Sequence, residues 1–271
     1  MTPSIEILKN KKLYIFDMDG TIYLGNNIFS YAIRFIENLR KSGKKVLFFT
    51  NNASRAKKTY YDRLEKMGFS PSMDEIMSAG DVTVEFLTRN RAGKTVYLVG
   101  TPDLEKNFEE RGINLLNGDE ENADIVVTSF DLTLTYDKLK NACRFVMNGA
   151  EYISTHPDFT CPTENGFIPD SGAISAFVTA ATGKEPMYLG KPYVETIKMI
   201  EEYSGFSKDE MCIFGDRLYT DIALGKKHGV SSILVLTGET TMEDVENADE
   251  KDKPDYVFES LEYVDEEMFG K

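Results

Sequence analysis

Histidine and cysteine are scarce in this chain, with two and three respectively among 271 residues. Two histidines cannot build a histidine-rich metal centre, so any metal held here must rest on carboxylate and carbonyl oxygen. Cys143, Cys161 and Cys212 are odd in number and widely spaced. They offer neither a zinc-type pair nor a disulfide framework. Positive charge is also short. Lys and Arg number 31 against 45 Asp and Glu, a net charge of −14, which repels nucleic-acid phosphates and argues against a DNA or RNA partner. The same surface weakly repels phosphorylated metabolites, so a phosphate site must be made locally positive by side chains or by a metal. No apolar run approaches membrane-spanning length, and Met1 to Lys12 holds no apolar signal core. A reducing cytoplasm and no membrane partner are therefore expected. No Gly/Ser- or Pro-rich linker, internal repeat or low-complexity segment divides the chain.

The chain does have enough apolar material for a core: 41% hydrophobic residues against 28% charged, a globular balance. Leu13 to Phe16 is a short apolar run without alternation, which predicts a strand covered on both faces. Tyr31 to Lys41 has helical spacing and stops at Gly43. Val46 to Phe49 predicts a second buried strand, and Ser54 is the expected N-cap of a helix running to Met67. The same alternation returns at Met187–Leu189, Cys212–Phe214, Ser232–Leu236 and Tyr256–Phe258. The middle has its own rhythm, with strands at Val96–Val99, Ile125–Val127 and Tyr152–Ser154, and helices at Tyr136–Met147 and Ser171–Ala181. Alternating strands and helices imply α/β architecture with parallel sheets. The expected organisation is a doubly wound, Rossmann-like core, residues 1–78 and 184–271, with an inserted smaller α/β cap, residues 79–183. The acidic stretch from Glu239 to Asp252 reads as a solvated face.

In an open α/β sheet, ligands bind beyond the carboxyl ends of the strands. Four such ends are loaded: Asp17 with Asp19, Thr50 with Asn51, Lys191, and Asp216 with Asp221. Two carboxylates leaving one buried strand repel by about 4 kcal/mol at 4 Å and an effective dielectric of 20, so one protonates or a cation sits between them. Each feature alone has a plain structural reading: an acidic turn, a helix cap, a surface lysine, carboxylates at a helix start. Together they supply a nucleophile, an acid/base, a hydroxyl, a lysine and an oxygen-only site that suits Mg²⁺. Phosphoryl transfer needs little beyond positioning and charge neutralisation.

The strings FDMDGTIY at 16–23, FFTNN at 48–52, GKP at 190–192 and GDRLYTDI at 215–222 resemble the haloacid dehalogenase superfamily. Together with TYDKL at 135–139, THPD at 155–158 and PDSGAISA at 169–176, the chain looks like the NagD-like, nitrophenyl phosphatase branch (subfamily IIA) along nearly its whole length. That resemblance implies a phosphatase of small phosphate monoesters working through an aspartyl-phosphate. Asp17 would attack phosphorus, while Asp19 would protonate the leaving oxygen and then activate water. Thr50 and the amide of Asn51 would bind phosphoryl oxygens, and Lys191 would neutralise both Asp17 and the phosphate. Mg²⁺ would be held by Asp17, the carbonyl of Asp19 and Asp216, with Asp221 supporting them. His156-Pro157 departs from the Asn-Pro of many relatives, and His156 and Asp158 in the cap are the expected substrate contacts. The expected partner is a small phosphorylated metabolite; pairing of two copies through the cap stays open. Alternatives are a phosphotransferase or phosphomutase on the same core, or a non-catalytic phospho-aspartate signalling or binding protein.

Overall fold

The computed structural model describes residues 4–163 and 166–270. The chain divides into two compact units, one of Met1–Thr50, Tyr60–Met77 and Lys191–Lys271, the other of Asn51–Thr59 and Ser78–Gly190.

The first unit is built on a six-stranded sheet. In space its strands run Tyr256–Phe258, Ser231–Val235, Met211–Gly215, Leu13–Phe16, Lys45–Thr50, Ile76–Ser78. Numbered along the chain, that order is 6-5-4-1-2-3, the doubly wound arrangement expected of alternating strands and helices. The pairings of Leu13–Phe16 with both its neighbours are parallel, in register Phe16 to Phe214 and Phe16 to Phe48. The apolar runs do not alternate because both faces of the sheet are covered. One face buries Tyr14, Phe16, Phe48 and Phe214 against Phe35, Ile36 and Leu39 of helix Ser30–Lys41 and against Leu261 and Val264 of helix Leu261–Phe269. The Phe16 ring stacks on Phe214 at 4.9 Å and meets Phe35 edge-on at 5.9 Å. The other face buries Ile222, Leu234 and Val245. The strand order reverses between Leu13–Phe16 and Met211–Gly215, so Asp17 and Asp216 leave adjacent carboxyl ends at the switch point.

The second unit has a five-stranded parallel sheet, ordered Met187–Tyr188, Glu151–Ser154, Ile125–Thr128, Thr95–Val99, Asn114–Leu115. Tyr97, Val126 and Tyr152 pack against Leu139, Phe145 and Val146 of helix Tyr136–Met147 and Ile174 and Val178 of helix Ser171–Thr182. An antiparallel hairpin, Thr160–Thr163 with Gly166–Pro169, completes it.

Two local expectations differ from what is found. Met187–Tyr188 pairs with Ile153 and Ser154 and so is an edge of the second sheet, not a strand of the core. Three apolar residues carry no information about which sheet they join. Ser54 caps no helix: its amide and hydroxyl both bond to Asn52 Oδ1, at 3.0 and 2.7 Å, and the helix starts later, at Lys57. An asparagine that closes its own turn competes directly with a serine cap.

Candidate active site

Lys191 gathers the first unit's site. It is 1% exposed, and its Nζ donates to Asp17 Oδ1 at 2.5 Å, Asp221 Oδ1 at 2.7 Å and the carbonyl of Phe49 at 3.4 Å. Its Nζ also lies 5.3 Å from the centre of the Phe49 ring. Burial alone would drive its proton off. The carboxylates of Asp17 and Asp221 outweigh burial and hold the ammonium well above the ordinary lysine range.

The carboxylates are held by backbone. The amide of Asp17 donates to Phe214 O at 2.8 Å, extending the strand pairing by one residue. Asp216 is 2% exposed, and its Oδ2 accepts from the amide of Glu239 at 2.7 Å. Asp221 lies in a π-helical turn, Leu218–Ile222, and its Oδ2 accepts from the amide of Arg217 at 3.3 Å. Glycine makes room for them. A Cβ on Gly238 would stand 1.9 Å from Asp216 Oδ2, and one on Gly20, whose φ is +89°, would stand 2.4 Å from the same atom. No side chain fits at either position.

These groups do not neutralise one another. One oxygen from each of Asp17, Asp216 and Asp221 lies within 4.8 Å of the others. Three carboxylates against one ammonium leave two uncompensated negative charges if all are ionised. Burial accordingly pushes Asp17 far above the usual carboxylate range despite Lys191, with Asp221 and Asp216 adding to the rise. Burial, then Asp221, raises Asp216 to about 7. Asp216 Oδ1 is buried without a hydrogen-bond partner. A hard divalent cation fits this set: it supplies the missing two charges and a partner for that oxygen.

Asp19 sits beneath a small hairpin, Tyr23–Leu24 with Asn27–Ile28. It bridges to Tyr23, and its Oδ1 accepts from the amide of Gly25 at 3.4 Å. Burial pushes its carboxyl up, while the Gly25 amide and the charges of Arg63 and Arg217 pull it back. Thr50 ends its strand half-buried. Lys191 reaches the carboxylates from the segment after Met187–Tyr188, not from a strand end of the core sheet.

Asn51, His156 and Asp158 belong to the second unit. The Asn51 side chain is buried and donates through Nδ2 to Asp158 Oδ2 at 3.0 Å. His156 is 0% exposed, with Nε2 2.9 Å from Asp170 Oδ1 and Nδ1 2.9 Å from Thr155 Oγ1. Asp170 in turn caps helix Ser171–Thr182 through the amide of Ser171 at 2.6 Å. The two expected substrate contacts are therefore interior groups with protein partners. Asp158→Ala is expected to lower kcat/KM by one common factor across phosphate esters, because it loosens Asn51 and not a contact to any particular substrate; a changed ranking over a substrate panel would contradict this. His156→Ala is expected to cost about 2–4 kcal/mol of stability, through a cavity and an unpartnered Asp170, read as a lower denaturant midpoint at unchanged slope.

The sequence reading passed over Arg63, Gly238 and the Glu239 amide. Glu239 opens the stretch read as a solvated face, Gly238 just precedes it, and Arg63 is one charge on a polar helix. Only the position of Gly238 just beyond the carboxyl end of strand Ser231–Val235 offered a signal.

A doubly wound sheet with a buried lysine–carboxylate cluster and a candidate oxygen-only cation site at its switch point fits a phosphoryl-transfer enzyme. Comparison with known proteins narrows this. The haloacid dehalogenase-like hydrolase model matches residues 14–114, and a HAD-hydrolase-like model matches residues 188–264. The acid sugar phosphatase of Staphylococcus aureus (strain MRSA252) is 36% identical over 256 residues, 94% of this chain and 96% of that protein. The crystal structure of 4-nitrophenylphosphatase from Thermotoga maritima is 41% identical with a TM-score of 0.91, covering 97% of this chain and 99% of that one. The magnesium complex of a glycerol phosphate phosphatase from Mycobacterium tuberculosis is 28% identical with a TM-score of 0.88, covering 95% and 77%. The chain belongs to the haloacid dehalogenase-like hydrolases, in their NagD-like, nitrophenyl phosphatase branch, and is a phosphoric monoester hydrolase.

Proposed function

We propose that the chain hydrolyses phosphate monoesters of small polyols and sugars in two steps through Asp17, with Mg²⁺ as its metal. The observation that carries this reading is the buried ion pair of Lys191 with both Asp17 and Asp221. Lys191 orients Asp17 and keeps a permanent positive charge where the substrate's phosphoryl group arrives. An Asp17 oxygen attacks phosphorus and the ester oxygen leaves, taking the proton held by Asp19. The now ionised Asp19 then takes a proton from water, whose oxygen attacks phosphorus. Inorganic phosphate departs and the Asp17 carboxylate is restored, with Asp19 protonated again. Thr50 and the Asn51 amide bind the phosphoryl oxygens in both steps.

Asp17, the Asp19 carbonyl and Asp216 would hold Mg²⁺, with Asp221 anchoring Lys191 beside them. The free Oδ1 of Asp216 is the best support for this assignment. When bound, the ion neutralises negative charge on the transferring phosphoryl group. The sugar and glycerol phosphate specificities of the relatives support a small polyol ester here. The test is phosphate release from a panel of sugar, polyol and nucleoside monophosphates with Mg²⁺, with Asp17→Asn as the blank. Faster release from nucleotides than from any polyol ester would refute the substrate class. Phosphate appearing on an added sugar in place of free phosphate would refute hydrolysis.

A further inference from the structure

Arg63 belongs to none of the strings that carry the chemistry. It lies on helix Lys57–Met67, half-buried, yet its guanidinium is fixed to the hairpin above Asp19. Nη2 donates to the carbonyl of Gly25 at 2.6 Å, and the guanidinium carbon lies over the Tyr23 ring, 4.4 Å from its centre. Both gripped residues also hold Asp19. Gly25 donates its amide to the Asp19 carboxylate, and Tyr23 bridges to the Asp19 backbone while its carbonyl accepts from Gly20 at 2.7 Å.

The hairpin has two residues per strand, too few to keep a conformation in water unaided. It needs an outside clamp, and Arg63 supplies one with a directional bond and a cation–π contact. Among the described residues no ion pair competes for the guanidinium of Arg63: no carboxylate lies within ion-pair distance of it, whereas Arg217, the other arginine acting on Asp19, is paired with Glu239 at 3.0 Å.

We propose that Arg63 is a positioning residue for the acid–base step: it clamps Tyr23 and Gly25 so that the Asp19 carboxyl is held toward the leaving oxygen. The inference rests on the reading of Asp19 as acid and base given above. The competing account is a staple that serves stability alone, and its loss would slow every substrate by the same factor.

The test is steady-state kinetics of Arg63→Gln, Arg63→Lys and Asp19→Asn, each on nitrophenyl phosphate and glycerol phosphate. The first leaving group departs without a proton and the second requires one. A positioned acid or base contributes typically 10²–10⁴-fold, so misplacing it should cost part of that. Arg63→Gln is expected to lower kcat on glycerol phosphate by about 10–100-fold and on nitrophenyl phosphate by about threefold or less, with KM little changed for either. Arg63→Lys keeps the charge but loses the planar fork, and should recover part of kcat on glycerol phosphate. Added to Asp19→Asn, Arg63→Gln should have little further effect, because both act on one step. If Arg63→Gln does not fold, Arg63→Lys carries the test, with a loss confined to glycerol phosphate expected.

An equal loss on both substrates from the Arg63 variants, or full additivity with Asp19→Asn, overturns the proposal. An equal loss on both substrates from Asp19→Asn itself overturns instead the underlying acid–base reading.

Discussion

Asp17→Asn is expected to fold normally and to release phosphate at least about 10³-fold more slowly than the native chain, a barrier increase of about 4 kcal/mol. An amide is a far weaker nucleophile than a carboxylate and a poorer ligand for a hard cation. The fold should tolerate the change because the buried cluster accommodates the Asp17 charge poorly. Burial raises its proton affinity, and Asp221 and Asp216 add to the rise. Removing one of three crowded carboxylates relieves that repulsion, and Lys191 retains Asp221 at 2.7 Å. Thermal stability without metal should therefore match or exceed that of the native chain. Acid-quenched native enzyme mixed with substrate should carry one extra phosphoryl group by mass, mapped to the peptide containing Asp17, and the variant none. Turnover within about tenfold of native, a difference of only some 1.4 kcal/mol, would remove Asp17 from the chemistry.

Mg²⁺ should raise the melting temperature of the native chain, and Asp216→Asn should abolish most of that rise. At 100 times its dissociation constant a ligand stabilises the folded state by about 2.7 kcal/mol, roughly 5–10 °C for a chain of this size. The effect should depend on pH in a defined direction. The folded-state value of Asp216, raised to about 7, lies above its unfolded value, which is near 3.9. Without metal, this group therefore favours the unfolded chain progressively as pH rises from about 4 to 7. With metal the carboxylate is ionised and compensated, so the Mg²⁺-induced rise should be larger at pH 8 than at pH 5.5. Equal shifts at both pH values, or an undiminished shift in Asp216→Asn, would take Asp216 out of the metal site. The readout is folding, so it is independent of whether the chosen ester is a good substrate.

Much of this molecule was legible before folding, and the reason is locality. Leu13–Phe16, Lys45–Thr50 and Met211–Gly215 announce themselves as short apolar runs because each is buried on both faces. Helix Tyr136–Met147 and the stop of Ser171–Thr182 at Gly183 follow from spacing and a left-handed cap. Asp17, Asp19, Asp216 and Asp221 stand within a few residues of strand ends, so the strand prediction carried them to the switch point. Tertiary structure alone decided the rest. Met187–Tyr188 lies in the second sheet because its hydrogen-bond partners are 34 residues away in sequence, at Ile153 and Ser154, and strand pairing leaves no mark on periodicity. His156 and Asp158 read as polar loop residues open to a substrate. They are interior because Asp170 and Asn51 meet them, and burial of a polar group depends on partners brought from elsewhere in the chain. Asp216 keeps one oxygen free because the amide of Glu239 takes the other, and Arg63 holds Gly25 from 38 positions along the chain. Residue type and local spacing determined which chemistry this protein could carry; long-range contacts determined which Asp216 oxygen is left without a partner and which cation grips the hairpin over Asp19.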